Sequence, residues 1–495
     1  MMATAGLKKP LLDYQAVGAE RAVRERGLHL SMEMGTGKTP TSIGAVVGAL
    51  CQDVLPNPAR ILLVAPVSIL GQWGEEIAKF WPDEVSVRVD LVESAQDLGR
   101  WRYTSGGLYK QMTTLYLIWY ERLEGIFESL CPEAAENRHA FRAGAYIEDL
   151  PEDLRFDAVV LDEATKIKNP KALATRVCLN LGRSAGLRLA LSGTPMPNGP
   201  EDALAQIEFV RPGALREEGL SLHSKVDDPL SRARLKRLLE RCAYRVTKAE
   251  CLGLPAKSFI RREVRLTDEQ EQLYYAANRE LAFEVEDLRR KGRVWLPNVL
   301  AKLQACQQII AGFVPWRTEI PDVSPELAAR LFAAKVAERP LRLKKNPKGE
   351  EILAILEEAG DARVVVFCKF IEEIRLIAEM VARETGRPAM EYHGGVDPAS
   401  RDATIRAFKQ DRKSVLCIQE RTGGFGLNLV EANLAIYSTN DWSWGVYAQS
   451  QDRIHRIGQS LPCTYFQIVA KGTVDERVLR AVEQKREIAE ALLDT

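Results

Sequence analysis

Residues 31–42 read SMEMGTGKTPTS, and within them Gly35, Thr36, Gly37, Lys38 and Thr39 are the residue types that hold phosphate. Glycines let backbone N–H groups approach phosphate oxygens, Lys38 can neutralise the outer phosphates, and Thr39 offers a hydroxyl to Mg²⁺. The strict phosphate-loop pattern wants a glycine where this chain has Met32. What supports the reading is context. An apolar run, LHLSM at 28–32, enters the loop, and the helix-like TPTSIGAVVGAL leaves it. The same residues in an isolated turn would carry no such meaning.

A second group follows in VVLDEATKIKNP, where Asp162 and Glu163 end an apolar run. Paired with an upstream phosphate loop, one carboxylate suits Mg²⁺, directly or through water, and the other suits orienting or deprotonating an attacking water. Alone, an Asp-Glu strand end is more often a cap. LALSGTPMPN places small hydroxyl and glycine residues at another strand end, which by itself reads as a turn. In residues 419–460, Arg453 and Arg456 are three apart on an expected helix, hence on one face, where they can serve as arginine fingers or simply as surface charge.

These groups need strands to carry them. Short apolar runs recur at 28–32, 61–66, 115–120, 158–163 and 187–192, and a second set at 363–368, 414–419 and 434–438. Uninterrupted runs alternating with helical patterns predict parallel sheets covered on both faces, and there are two such sets. The predicted class is α/β. Between the sets, roughly 215–340 is charged and mostly helical, with a strand pattern only around SFIRREVRL at 258–266. The expected organisation is a lobe at 1–215, helical insertions and a connector at 216–340, and a second lobe at 341–495.

Bulk properties narrow the class further. A chain of 495 residues exceeds what one core usually serves, and Lys+Arg of 68 against Asp+Glu of 68 leaves net charge silent about partners. RPLRLKKNPK at 339–348 carries five basic side chains and RRKGR at 289–293 is similar; each reads as a solvated face or as part of a nucleic-acid surface. The nine cysteines show neither CxxC pairs nor metal-ligand spacing, so zinc and disulfides are not expected. No apolar run reaches the roughly 18 residues of a membrane span, so no membrane association and a cytoplasmic location are expected.

With MGTGKT, DEAT, LSGTP, GGFGLNL and QSQDRIHRIGQ in this order, the chain resembles the Swi/Snf-type ATPases of the superfamily-two helicases. The resemblance runs from LLDYQ at 11–15 to GTVDERVLRAVEQKREIAEALL at 472–493, and the HRIGQ block is its most specific part. It explains Met32, because loops of this family resemble DEMGLGKT; Glu33 and Thr36 are mild departures from that form, and Thr165 of DEAT departs from DEAH or DEAD. The resemblance implies two RecA-like lobes using ATP and Mg²⁺. Gln15 is implied at adenine, Gly35 to Thr39 and Gly426 around the nucleotide, and Thr39 and Asp162 at the metal. It further implies Lys38, Asp162, Glu163, Arg453 and Arg456 in catalysis, with an active site that exists only when the lobes close. Ser192, Gly193, Thr194 and Gln449 are implied in coupling.

For contacts to DNA the resemblance implies Ser68, Tyr120, Lys369, Phe370, His393, Gly394, Thr422, Asn428 and Trp442, tracking one strand without reading sequence. Tyr120 and Phe370 serve equally well as core aromatics. The expected function is a DNA-stimulated ATPase that moves along double-stranded DNA. The alternatives are a strand-separating helicase, and an ATP-driven clamp or motor subunit with a protein partner that supplies targeting. Such a compact chain fits a bacterial or phage context, and no chromatin-reading module is legible.

Overall fold

The structure, a computed structural model, describes residues 6–103, 112–131, 147, 149–251, 253–278, 296–318, 320, 323–421 and 427–493. It divides into two compact units, Met1–Gly253 with Lys485–Thr495, and Leu254–Gln484.

The first unit is built on β1 (Gly27–Met32), β2 (Arg60–Ala65), β3 (Val87–Leu91), β4 (Thr113–Trp119), β5 (Ala158–Asp162), β6 (Leu187–Leu191) and β7 (Ala243–Val246). They form one seven-stranded sheet in the order β3-β4-β2-β5-β6-β1-β7, every pair parallel. Every residue of β1 and β5 is buried, so both faces are covered, as the unbroken apolar runs require. Parallel neighbours all end on the same side. The loops after β5, β6 and β1, three adjacent strands, therefore converge, and these are the loops that carry Asp162, Ser192 and Lys38.

The second unit holds β8 (Lys257–Val264), β9 (Phe313–Val314), β10 (Leu341–Arg342), β11 (Val364–Cys368), β12 (Ala389–Tyr392), β13 (Val415–Gln419), β14 (Leu434–Tyr437) and β15 (Cys463–Ala470). Six of them make a parallel sheet in the order β12-β13-β11-β14-β15-β8, while β9 and β10 pair antiparallel on their own. These two parallel sheets are the RecA-like architecture that the resemblance implied.

The charged middle region contributes to both sheets. Its helix Pro229–Cys242 starts where the Asp228 carboxylate accepts from the Leu230 and Ser231 amides. The next strand, β7, adds to β1, and β8 adds to β15. The SFIRREVRL pattern is therefore an edge strand of the second sheet. Strands β3, β7 and β12 escaped the sequence reading because edge strands are half exposed and carry no continuous apolar run; β15 is interior, but Thr464 and Gln467 interrupt its pattern.

Three of the five basic side chains at 339–348 are held in ion pairs. Arg342 pairs with Glu372 and Glu379, Lys344 with Glu326, and Lys348 is buried against Asp475 at 2.6 Å. Lys348 Nζ also donates to the Ser438 carbonyl, and the neighbouring hydroxyls of Ser438 and Thr439 each donate to buried Glu373 at 2.6 Å. Replacing Lys348 with methionine would leave Asp475 as an uncompensated buried carboxylate. A loss of about 3–5 kcal/mol is expected, read by denaturant unfolding. RRKGR at 289–293 lies outside the described residues. Among the described residues no helix is long and apolar enough to cross a membrane.

Candidate active site

In the first unit the loop 33–37 turns β1 into the helix Lys38–Cys51. Gly35 and Gly37 take φ of 83° and 91°, a region open to glycine, and a Cβ on Gly37 would stand 2.1 Å from Gln15 Nε2. Thr36 is fully buried and turned inward, its hydroxyl donating to the Glu33 carbonyl at 2.8 Å. The helix has no side-chain cap at Gly37, which leaves its first N–H groups for an anion; Pro40 stands at the third position, where a helix lacks an internal partner anyway. Lys38 Nζ donates to the carbonyls of Met32 at 3.0 Å and Glu33 at 3.4 Å, which holds the ammonium at the mouth of the loop. Met32 therefore contributes its carbonyl, for which a glycine is unnecessary.

Gln15 braces this loop. Its Nε2 donates to the Thr36 carbonyl at 3.1 Å and its Oε1 accepts from the Leu12 amide at 3.0 Å. The Tyr14 hydroxyl donates to the same Thr36 carbonyl, a role sequence reasoning missed. Thr39 stands half-buried at the second position of the helix.

Asp162 ends β5 almost fully buried. Its Oδ2 accepts from Trp73 Nε1 and its Oδ1 from the Glu163 amide, both at 2.8 Å. Burial raises the Asp162 pKa, while Lys38 and the Trp73 bond oppose that rise. Glu163 sits at φ 49°, ψ 53°, a left-handed conformation uncommon for a side chain this long, and its Oε2 is buried without a hydrogen-bond partner. Burial, then the Asp162 charge beside it, pushes the Glu163 carboxyl up to about 7. A carboxyl of that kind is a candidate base. Thr165 is half-buried in the short turn Ala164–Ile167 that follows.

Ser192, Gly193 and Thr194 follow β6 and lie against the phosphate loop. The Ser192 amide donates to the Leu30 carbonyl of β1, and Ser192 Oγ accepts from the Thr194 amide at 3.1 Å. A Cβ on Gly193 would be 3.2 Å from the Met34 nitrogen and 3.5 Å from Lys38 Nζ. The structure thus joins Gln15, Gly35 to Thr39, Asp162, Glu163 and this turn at one end of the first sheet.

The second unit carries the arginines, and here the expected helix is corrected. The helix Trp444–Gln451, with Gln449 half-buried on it, ends before both of them. Gln459 Nε2 donates to the carbonyls of Val430, Ala432 and Ile454 and so anchors the turns that follow the helix. His455 Nε2, within hydrogen-bond distance of the Pro255 carbonyl at 2.8 Å, ties it further. Neither role was assigned from sequence. Arg453 is 3% exposed, and none of its three guanidinium nitrogens has a hydrogen-bond partner. Burial lowers its pKa to about 10 and lowers that of half-buried Arg456.

Three of the residues expected at DNA are instead core residues. Tyr120 is 2% exposed and donates to the Asp162 carbonyl at 2.8 Å, so it supports the acidic pair. Phe370 is buried edge-on against Phe313, with ring centroids 5.8 Å apart. His393 is buried, its Nδ1 accepting from the Gly395 amide. Each follows a strand, where packing against the sheet claims the side chain. Lys369 is half-buried and donates to Gln307 Oε1 at 2.6 Å; with Trp442 and Arg421 it lines a cleft of about 840 Å³. Asn428 is half-buried, while Ser68 and Gly394 are exposed. Thr422 and Gly426 lie outside the described residues.

The residues fit ATP and Mg²⁺. On the first unit, the uncapped helix start with the Lys38 ammonium suits a polyphosphate. Thr39 and Asp162 are the hard oxygen donors that Mg²⁺ takes alongside phosphate and water. Among the described residues no cluster of three or more His, Cys, Asp or Glu is set to hold a metal alone.

A phosphate loop, an acidic strand end and a second parallel-sheet unit bearing a buried arginine define a helicase-like nucleoside-triphosphatase fold. Residues 16–310 match the SNF2-related domain and residues 347–458 the helicase conserved C-terminal domain. The chain belongs to the SNF2-related family. It is 26% identical over 494 residues to an uncharacterised ATP-dependent helicase of Mycoplasma pneumoniae, covering 98% of this chain and 42% of that one. It is 25% identical to the ISWI chromatin-remodeling complex ATPase CHR11 of Arabidopsis thaliana, over 96% of this chain and 42% of the relative. With the DNA repair and recombination protein RDH54 of Saccharomyces cerevisiae the identity is 23%, over 94% of this chain and 51% of the relative. The chain thus spans about half or less of these relatives' length. Among solved structures it is similar to the Sulfolobus solfataricus SWI2/SNF2 ATPase core in complex with dsDNA, at 21% identity and a TM-score of 0.38, covering 99% of this chain and 94% of that one.

Proposed function

We propose that this chain is a DNA-stimulated ATP hydrolase that moves along double-stranded DNA without obligatory strand separation. The observation that carries the hydrolytic part is the buried Arg453 guanidinium, none of whose nitrogens has a hydrogen-bond partner, so that its donors are open to an anionic oxygen. The relatives named for DNA repair, recombination and chromatin remodelling support DNA as the track.

Lys38 and the helix start hold the phosphates, Glu163 orients and deprotonates the attacking water, and Arg453 and Arg456 answer the charge developing on the transferred group. Thr39 and Asp162, the latter directly or through water, would hold Mg²⁺, which would supply neutralisation of the phosphate oxygens. Ser192 to Thr194 report the state of the phosphate loop, and Ser68, Gly394, Lys369 and Trp442 are the proposed contacts to the DNA backbone.

Steady-state hydrolysis without nucleic acid, with duplex DNA, with single-stranded DNA and with RNA tests this. Strong stimulation by duplex DNA, lost in Lys38→Ala, is the expected result, followed by displacement of a triplex-forming strand. Displacement of a duplex strand would favour the helicase alternative. Equal rates in all four conditions would overturn the DNA reading and point to a protein partner.

A further inference from the structure

Strand β1 carries a polar pair in the middle of the first sheet. His29 and Ser31, two residues apart and so on one face of the strand, are 1% and 3% exposed. Ser31 Oγ lies 2.7 Å from His29 Nδ1, and His29 Nε2 lies 2.9 Å from Gln206 Oε1. Gln206, wholly buried on the helix Leu204–Val210, donates from Nε2 to the carbonyls of Pro195 at 2.8 Å and Asp202 at 2.6 Å.

These contacts determine the protons. The Gln206 nitrogen faces two acceptors, so its oxygen must face His29. That oxygen only accepts, so His29 carries its proton on Nε2, and Nδ1 accepts from the Ser31 hydroxyl. Burial lowers the His29 pKa to about 4, which agrees with a neutral ring. The result is a directed chain, Ser31 to His29 to Gln206 to the Pro195 and Asp202 carbonyls, with each donor satisfied.

Its ends matter. Ser31 directly precedes Met32 and Glu33, whose carbonyls hold Lys38. Pro195 directly follows Ser192, Gly193 and Thr194. Between these ends the clearance is small, since a Cβ on Gly193 would already stand 3.2 Å from Met34 N. Apolar side chains of similar volume would fill the space without polar atoms to satisfy, but they tolerate slippage that directed hydrogen bonds do not.

We propose that Ser31, His29 and Gln206 are positioning residues, a strut that holds the Ser192–Gly193–Thr194 turn in register with the phosphate loop, so that ATP turnover rather than nucleotide affinity depends on them. This rests on the hydrolytic reading above.

The test uses the full chain with Gln206→Leu and the double variant His29→Leu/Gln206→Leu. The single change strands a buried imidazole N–H and lowers the melting temperature; the double change removes that orphan but takes the partners of the Ser31 hydroxyl and the Pro195 carbonyl, so it recovers part of the loss. In the double variant kcat is expected to fall roughly tenfold, with KM and ADP affinity held within about twofold. Amide exchange across residues 192–198 is expected to quicken in the double variant, more than in segments of the first unit remote from the strut. Native kcat and native exchange in a stable double variant would overturn the strut and leave a core-packing role. If the native chain does not hydrolyse ATP, the hydrolytic reading fails by itself and exchange alone decides the strut: quicker exchange upholds it, unchanged exchange overturns it. If the double variant does not fold, Ser31→Ala, a loss of one hydroxyl, takes its place with the same two readouts.

Discussion

An Arg453→Met variant is expected to lose ATP turnover by at least about 10³-fold while melting at a higher temperature than the native chain. The two effects share a cause. The guanidinium is buried, its nitrogens have no hydrogen-bond partners, and its pKa is lowered by the burial, so the folded state carries a desolvation penalty that the nearby Glu420 and Asp452 charges offset only in part. Methionine fills similar space with no charge, so relief of the desolvation penalty is expected to raise stability. Nucleotide binding, which Lys38 and the helix start support on the first unit, should change little. Steady-state hydrolysis, equilibrium binding of a fluorescent nucleotide and thermal unfolding on one preparation check all three. Turnover at the native rate would remove Arg453 from the reaction. A lowered melting temperature would mean that the guanidinium stabilises the second unit, and the trade between stability and activity would be lost.

Glu163→Gln should abolish hydrolysis by a different route, lowering single-turnover chemistry by about 10²–10⁴-fold with ATP still bound. The amide keeps the shape of the side chain and cannot accept a proton from water. Because the Glu163 backbone is held in the left-handed region and the Glu163 amide donates to Asp162 Oδ1, the substitution leaves the geometry around Asp162 in place. It also removes one of two adjacent buried carboxyls that oppose each other's ionisation, so no loss of stability is expected. The contrast with Lys38→Ala is diagnostic: one variant holds nucleotide and does not turn it over, the other fails to hold it. An E163Q variant with unimpaired chemistry would assign the base elsewhere.

The amino-acid sequence by itself determined the two parallel sheets and the loops proposed to carry the chemistry. Strands buried on both faces are mostly apolar, so β1, β2, β4, β5, β6, β11, β13 and β14 are legible as short apolar runs, although His29 and Ser31 interrupt β1. A phosphate-binding loop depends on its own glycines, lysine and hydroxyl, all adjacent in the chain, so Gly35 to Thr39 needed no distant partner to be read. Asp162, Glu163 and Ser192 could be placed because parallel strands end on one side.

Only the tertiary structure decided which way side chains beyond the strand ends turn, and what holds them. Trp73 reaches Asp162 across 89 residues of chain, Gln206 reaches His29 across 177, and Lys348 closes on Asp475 inside a run that reads as surface charge. Tyr120, Phe370 and His393 turn inward for the same reason, and the helix ends at Gln451, before Arg453 and Arg456, in a segment that Gln459 ties to Val430 and Ala432. Burial and hydrogen bonding at such positions are set by elements remote in sequence, and local pattern carries no record of them.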